Sequence, residues 1–385
     1  MFNPIQYSST YINSVLKDGF RTSKNKNYNS MLIKEFCKKI GVKYGVTVSS
    51  GTAGLHTALL SLELKKNDEV IMPAITMSAV LYAILLIGAK PIFADVDRET
   101  MCISTESIKS KITNKTKAII SVALYGLSPD LTTIKSIIKK KKEKIFLIED
   151  NAECLLAKHN NKLVGSFGDI SMFSFQSSKM LTCGEGGILV SNNKKLINNA
   201  KIYSNLGYYL RTTNYKTNRK NLQHTNFKRH KLLGLNYRLS ELGAATVLGQ
   251  LRNVNKILDY RKKAGQDFKK IIEEYSFVKT QKIKKNNTHS YWAFAVIFKN
   301  EKIYKLFKKK FNKNGGDYFY GCWLPPYKEE FYLRLKKKKQ TCNIAEELQK
   351  KTIQLKTNYF DKIELDKQIK VLKVTLDHIQ NIVNQ

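Results

Sequence analysis

Residues 145–191 read IFLIEDNAECLLAKHNNKLVGSFGDISMFSFQSSKMLTCGEGGILVS. Three short apolar runs divide this stretch: IFLIED (145–150), ISMFSF (170–175) and GILVS (187–191). Each has strand length, carries β-branched or aromatic residues and is bounded by turn formers. The first ends on Glu149 and Asp150, with Glu153 one turn further on. The second is followed by Lys179, and the third by nothing titratable until Lys194.

Upstream, four more apolar runs read as strands, at 44–50, 69–74, 91–96 and 118–125. Helical patterns alternate with them: TAGLHTALLSLEL, SAVLYAILLIGA and LTTIKSIIKKKK. Apolar strands joined by helical crossovers imply a largely parallel sheet covered on both faces, an α/β domain. Downstream, one long helical pattern runs from Leu239 to Tyr275, with Ser240 placed to cap it and Leu239, Leu242, Leu248 and Leu251 forming an apolar stripe. Beyond it come a strand-like YWAFAVIF (291–298), a turn at Gly315–Gly316 and a helical EELQKKTIQLK (346–356), which together read as a smaller α+β unit. The expected division is 1–252 and 253–385.

The chain has 385 residues, suited to about two domains. Lys and Arg exceed Asp and Glu by 67 to 31, a formal charge of +36. The excess is spread along the chain, with runs at 139–142, 308–310 and 336–339, as in solvated lysine-rich surfaces. A DNA-binding regulator is what the charge alone would suggest. No zinc-finger spacing, RNP-like strand or basic heptad accompanies it, so nucleic acid is not an expected partner. The six cysteines form no CxxC pair, which argues against a zinc site or disulfide framework and for a cytoplasmic setting. The first twenty residues lack a basic segment followed by an apolar core, and no signal peptide is expected. The uncharged run at 71–88 is nearly long enough to span a membrane, but Pro73 fits better with a strand end, a turn and a buried helix.

Three features carry chemistry. In SSGTAGLH (49–56) a strand gives way to a helix start with Thr52 and the Ala53 amide, where backbone N–H groups can bind an anion. Ser or Thr before a helix is ordinarily only an N-cap. Asp150 stands at the carboxyl end of its strand, facing the crevice where α/β proteins bind ligands. Ser174 and Lys179 lie five residues apart among small residues, and a buried amine without a counter-ion is free to form a Schiff base. Together these are the parts pyridoxal 5'-phosphate needs: an anion site, a lysine for its aldehyde and a carboxylate for its ring nitrogen.

The same segments resemble the DegT/DnrJ/EryC1/StrS family of pyridoxal-phosphate sugar aminotransferases. The resemblance covers about residues 44–251, with IEDNAE, SFQSSKMLTCGEGG and LGLNYRLSE in family order. It implies a three-layer, aspartate aminotransferase-like fold with a smaller C-terminal domain. It implies that Lys179 binds the cofactor and shuttles a proton, and that Asp150 pairs with the ring nitrogen. Ser174, Thr52 and Ala53 would hold the phosphate, and Glu153 would lie beside the ring. Asn236 would reach the cofactor phosphate of a neighbouring subunit, making a homodimer with composite sites. A lysine at 179 separates the chain from the family's dehydratases, which carry histidine there.

Two departures stand out. Met77 occupies the position where the family usually stacks an aromatic ring on the cofactor. The loop GGDYFYGCWLPPYKEEFY (315–332) also differs from the usual substrate loop. Its Tyr318, Tyr320, Trp323 and Tyr327 either line a pocket or belong to the core. The basic segment 216–231 would reach an acceptor phosphate or lie exposed. The expected reaction moves an amino group, from glutamate, to a nucleotide-linked keto-deoxy sugar for surface polysaccharide. The alternative acceptor is a small phosphorylated ketone such as dihydroxyacetone phosphate, for capsule modification.

Overall fold

The computed structural model describes residues 3–20, 27–208, 224–335 and 340–384. The expected runs at 44–50 through 187–191 form a seven-stranded sheet: β1 (Tyr44–Val48), β2 (Glu69–Pro73), β3 (Lys90–Ala94), β4 (Thr116–Val122), β5 (Phe146–Asp150), β6 (Ile170–Ser174) and β7 (Gly187–Ser191). Their spatial order is β1-β7-β6-β5-β4-β2-β3. β7 runs antiparallel to both its neighbours, and the other pairings are parallel.

Adjacent strand residues point to opposite faces, and both faces are apolar. Met72, Ile120, Ile148 and Met172 pack with Leu55, Leu59 and Leu81 of the helices Gly51–Ser61 and Ala79–Leu86. Their neighbours Ile71, Ile119 and Leu147 pack instead on Ile134 and Ile137 of Leu131–Lys139. On the same side Phe173 and Ile188 meet Phe36 and Leu248. The result is three layers. The uncharged run at 71–88 is the end of β2, a turn and a helix, and among the described residues no helix is long and apolar enough to cross a membrane.

The smaller α+β unit is built on a second, antiparallel sheet: β8 (Val278–Lys279), β9 (Ala293–Phe298), β10 (Phe319–Gly321) and β11 (Thr352–Lys356), in the order β8-β9-β11-β10. Two expectations are corrected here. The segment 346–356 is not one helix. Helix ends at Gln349, and Thr352–Lys356 is an interior strand, paired on both sides. Alternating Ile353 and Leu355 join the core of this unit, a period-two signal that outweighs the helix formers before it. The long helix is also two, Glu241–Arg252 and Val254–Ile272. Asn253 breaks it at φ −113°, ψ 18°, and its side-chain amide donates to Gly249 O, a local bond that competes with the helix. Ser240 caps the first half as expected, its Oγ accepting from the Gly243 amide at 3.0 Å.

Candidate active site

The carboxyl ends of β4, β5 and β6 open into a cavity of about 570 Å3. Thr52, Met77, Asp150, Glu153, Ser174 and Lys179, all singled out in the sequence, line it. One end is shaped by glycine. A Cβ on Gly51 would lie 3.0 Å from Ser174 Cβ and 3.1 Å from its Oγ, so the helix start can settle onto Ser174 only because residue 51 has none. Gly187, whose Cβ would meet Ser50 O at 3.0 Å, lets β7 pass under the same turn. The Thr52 side chain is exposed at this end. The Ala53 amide differs from expectation: it donates to the capping oxygen of Ser50 at 3.0 Å and is already engaged.

Asp150 lies at the floor, buried, accepting from the Ala152 amide at 3.0 Å. Burial pushes its pKa up to about 6, against the pull of the Ala152 N–H and of Lys179. The register opposes Asp150 to Met172, so Ser174 stands two residues further along the neighbouring strand, roughly 8 Å away. Glu153 is buried beside it. The Tyr125 amide donates to its Oε2 at 2.9 Å, from a residue held at φ 59°. Burial pushes Glu153 up to about 7, opposed chiefly by Lys179.

Lys179 is not without a counter-ion, as the sequence suggested. Its Nζ is 3.8 Å from Glu153 Oε1 and 4.2 Å from the centre of the Trp292 ring. The four aromatic loop residues divide. Tyr320 and Trp323 line the cavity, while Tyr327 is core, packed on Phe93, and Tyr318 is exposed beside Tyr320. Met77 is half exposed, its sulfur accepting from the Ala79 amide at 3.0 Å. Asn236 is exposed, bridged to Asn205, and does not line this cavity. The lysine run 336–339 and the first half of the basic segment 216–231, residues 216–223, lie outside the described residues. Sequence reasoning missed Trp292 and Gln354, which reach the cavity from β9's approach and β11. The Trp in HSYWAF was the available signal.

The donor set fits pyridoxal phosphate. A helix start with two hydroxyls, a buried carboxylate with a single backbone donor, and an amine line one cavity. The close seat of Gly51 on Ser174 brings the helix start and the Ser174 hydroxyl together at the end of the cavity where a phosphate would sit.

Comparison with known proteins agrees. The DegT/DnrJ/EryC1/StrS aminotransferase family matches residues 6–374. The GDP-perosamine synthase of Escherichia coli O157:H7 is 37% identical over 287 residues, 74% of either chain. That of Vibrio cholerae is 35% identical over 294 residues, 76% of this chain and 74% of its own. The structure of an aminotransferase from Psychrobacter cryohalolentis superposes with TM-score 0.88 at 24% identity, covering 99% of this chain and 98% of that one. The Escherichia coli GDP-4-keto-6-deoxy-D-mannose-3-dehydratase with bound hydrated PLP superposes with TM-score 0.84 at 26% identity, covering 95% and 96%. The chain belongs to the DegT/DnrJ/EryC1/StrS aminotransferase family, of fold type I, and its cofactor is pyridoxal phosphate.

Proposed function

We propose that this family member transfers an amino group from glutamate to the keto group of a GDP-linked 4-keto-6-deoxy sugar, in the cytoplasm, for surface polysaccharide. The observation that carries the reaction type is Lys179, which lines one cavity together with Asp150 and Ser174. The nucleotide is supported by the two GDP-perosamine synthases that share more than a third of the aligned residues. Lysine at 179 favours transamination over the chemistry of the dehydratase that shares the fold.

When bound, the cofactor supplies an electron sink for the carbon that bears the amino group. Asp150 would pair with the protonated ring nitrogen, and with a pKa near 6 in the empty site it carries the needed negative charge at neutral pH. Ala152 N–H engages Asp150 Oδ1 and leaves Oδ2 as the oxygen that would meet a ring nitrogen. Lys179 Nζ takes the proton from the donor carbon and returns it at the other end of the transfer. Glu153 Oε1 holds that amine within reach between the two events, and the Trp292 ring shields it from water. Ser174 Oγ and Thr52 Oγ1 hold the phosphate.

Asn236 supports a homodimer: it is exposed and stands apart from its own cavity, as a residue serving a neighbour's cofactor would. The division into 1–252 and 253–385 follows the helix break at Asn253.

The test is purified enzyme with pyridoxal phosphate, glutamate and either GDP-4-keto-6-deoxymannose or dihydroxyacetone phosphate, with products identified by mass. Amination of the GDP sugar, lost in Lys179→Ala, is expected. Turnover of the triose phosphate with none of the GDP sugar would sink the proposal.

A further inference from the structure

We propose that Arg261 and Trp292 are positioning residues for Lys179, a clamp through which the C-terminal unit fixes the lysine by holding the carbonyl of Ser178. Two donors converge on that one oxygen: Trp292 Nε1 at 2.9 Å and Arg261 Nη2 at 3.3 Å. The clamp is itself tied together. Arg261 Nη1 donates to Trp292 O at 2.9 Å and to Thr357 Oγ1 at 3.3 Å. On the other side of the lysine, Gln250 binds Thr182 twice, accepting from its N–H at 3.0 Å and donating to its C=O at 2.6 Å. Gln250 and Arg261 stand on the two halves of the helix broken at Asn253, so that helix straddles the turn bearing Lys179.

Packing alone does not account for Arg261. It is 4% exposed, and among the described residues no carboxylate lies within ion-pairing distance of it. Its acceptors are two carbonyls and a hydroxyl, its Nε has no partner, and burial pulls its pKa down to about 10. A buried charge without a counter-ion is destabilising, and an apolar side chain of similar volume would pack without that penalty. What the guanidinium delivers in return is the position of the peptide that precedes Lys179. A lysine side chain has four rotatable bonds, so the reach of its amine depends on where its backbone is held. A displacement near 1 Å at such a group can slow catalysis about a hundredfold.

This inference rests on the aminotransferase reading but not on the identity of the acceptor. The test uses cofactor-loaded, full-length Arg261→Met, Arg261→Lys and Trp292→Phe, the last keeping the ring and removing the N–H. Four quantities are read: the melting temperature, borohydride trapping of the cofactor at Lys179, the pH midpoint of the bound cofactor's visible absorbance, and the half-reaction with glutamate. In Arg261→Met the melting temperature is expected to hold or rise. Its kcat should fall about 10- to 100-fold with KM within about threefold, because Arg261 does not line the cavity. The absorbance midpoint should fall by about half a pH unit as the Lys179 nitrogen, bonded to the cofactor in the loaded enzyme, drifts from the indole face. Arg261→Lys should recover part of both losses, and Arg261→Met combined with Trp292→Phe should lose less than the product of the two singles, since they share one carbonyl. Should Arg261→Met fail to fold, Trp292→Phe carries the test alone. Folded variants with an unmoved midpoint and kcat within twofold of wild type overturn the clamp, as does an effect confined to KM. Failure of wild type to aminate the GDP sugar overturns only the substrate proposal, because the absorbance and trapping readouts do not involve it.

Discussion

Asp150→Asn should stabilise the cofactor-free protein and do so only above acidic pH. In the empty site the carboxyl titrates near 6 against an ordinary 3.8, because burial disfavours its charge. An unfolded chain therefore releases this proton near pH 3.8, while the folded chain keeps it until about 6. Between those values the folded state binds more protons, so its stability falls as pH rises and then levels off above 6. The difference corresponds to about 3 kcal/mol. Asparagine has the same shape, and its amide oxygen can accept from Ala152 N–H as the carboxylate does at 3.0 Å. With an unfolding entropy of about 2.1 cal/mol/K per residue, the stabilisation is about 4 °C in melting temperature for a chain of this size.

The assay is thermal and urea denaturation of wild type and variant, stripped of cofactor, at pH 4.5 and pH 8. The variant should be the more stable by about 3 kcal/mol at pH 8 and by no more than about 1 kcal/mol at pH 4.5. Loaded with pyridoxal phosphate, the order should reverse at pH 8, because the carboxylate then has a cationic ring nitrogen to pair with. A gap that is the same at both pH values, or a variant less stable than wild type when empty at pH 8, would refute the burial argument.

Gly51→Ala should weaken pyridoxal phosphate binding about tenfold with a stability change under about 1 kcal/mol, since the new Cβ would press on Ser174 Cβ at 3.0 Å while the helix itself accepts alanine readily; fluorescence titration and melting separate the two effects. Gln250→Leu should destabilise by about 2–4 kcal/mol in urea denaturation, because the buried amide is the partner of both Thr182 N–H and C=O. Glu153→Gln should raise the stability of the empty protein at pH 8 relative to pH 5, the carboxyl having been pushed up to about 7 by burial; a variant with an unchanged pH profile would count against the desolvation of Glu153.

The seven strands of the large sheet were legible because each is a short apolar run between turn formers. Both faces are buried, so alternation was neither needed nor seen. That Asp150, Ser174 and Lys179 share one cavity was legible for a different reason: two sit at strand ends and the third five residues beyond, close together in sequence, and one cofactor would need all three. What escaped notice depended on contacts between distant segments. Trp292 reaches Lys179 across 113 positions, and no local pattern announces an indole above an amine. Glu153 was recognised as a site residue, but its pairing with Lys179 at 3.8 Å depends on how the turns after β5 and β6 face each other. The cap bond from the Ala53 amide to Ser50 Oγ was likewise outside what the phosphate reading of this helix start covered. At 352–356 the helix formers Glu346, Glu347 and Leu348 masked the alternation of Ile353 and Leu355, and pairing on both sides decided for strand.

The placement of the loop aromatics bears on how the acceptor is selected. Tyr327 anchors the loop: its ring packs on Phe93 with centres 5.0 Å apart, its hydroxyl donates to Glu346 Oε1 at 3.0 Å, and it accepts from the Cys342 amide at 3.1 Å. Tyr332 packs on the same Phe93, a β3 residue of the large sheet. The loop is thereby fastened to the large domain's core rather than only to the smaller unit that carries it. Tyr320 stands on β10 and Trp323 two residues past it, both ahead of that anchor and both facing the cavity. With the segment beyond them fixed, the wall they form is set by side-chain size more than by loop closure. Tyr320→Ala should therefore alter KM for the keto acceptor and leave the glutamate half-reaction within about twofold. Tyr327→Phe removes a hydroxyl that serves the buried Cys342 amide and the half-buried Glu346, and should destabilise by about 1–3 kcal/mol in urea denaturation. If Tyr327→Phe instead changed acceptor preference at full stability, the loop would have to act as a moving gate, and the fixed-wall account of specificity would fail.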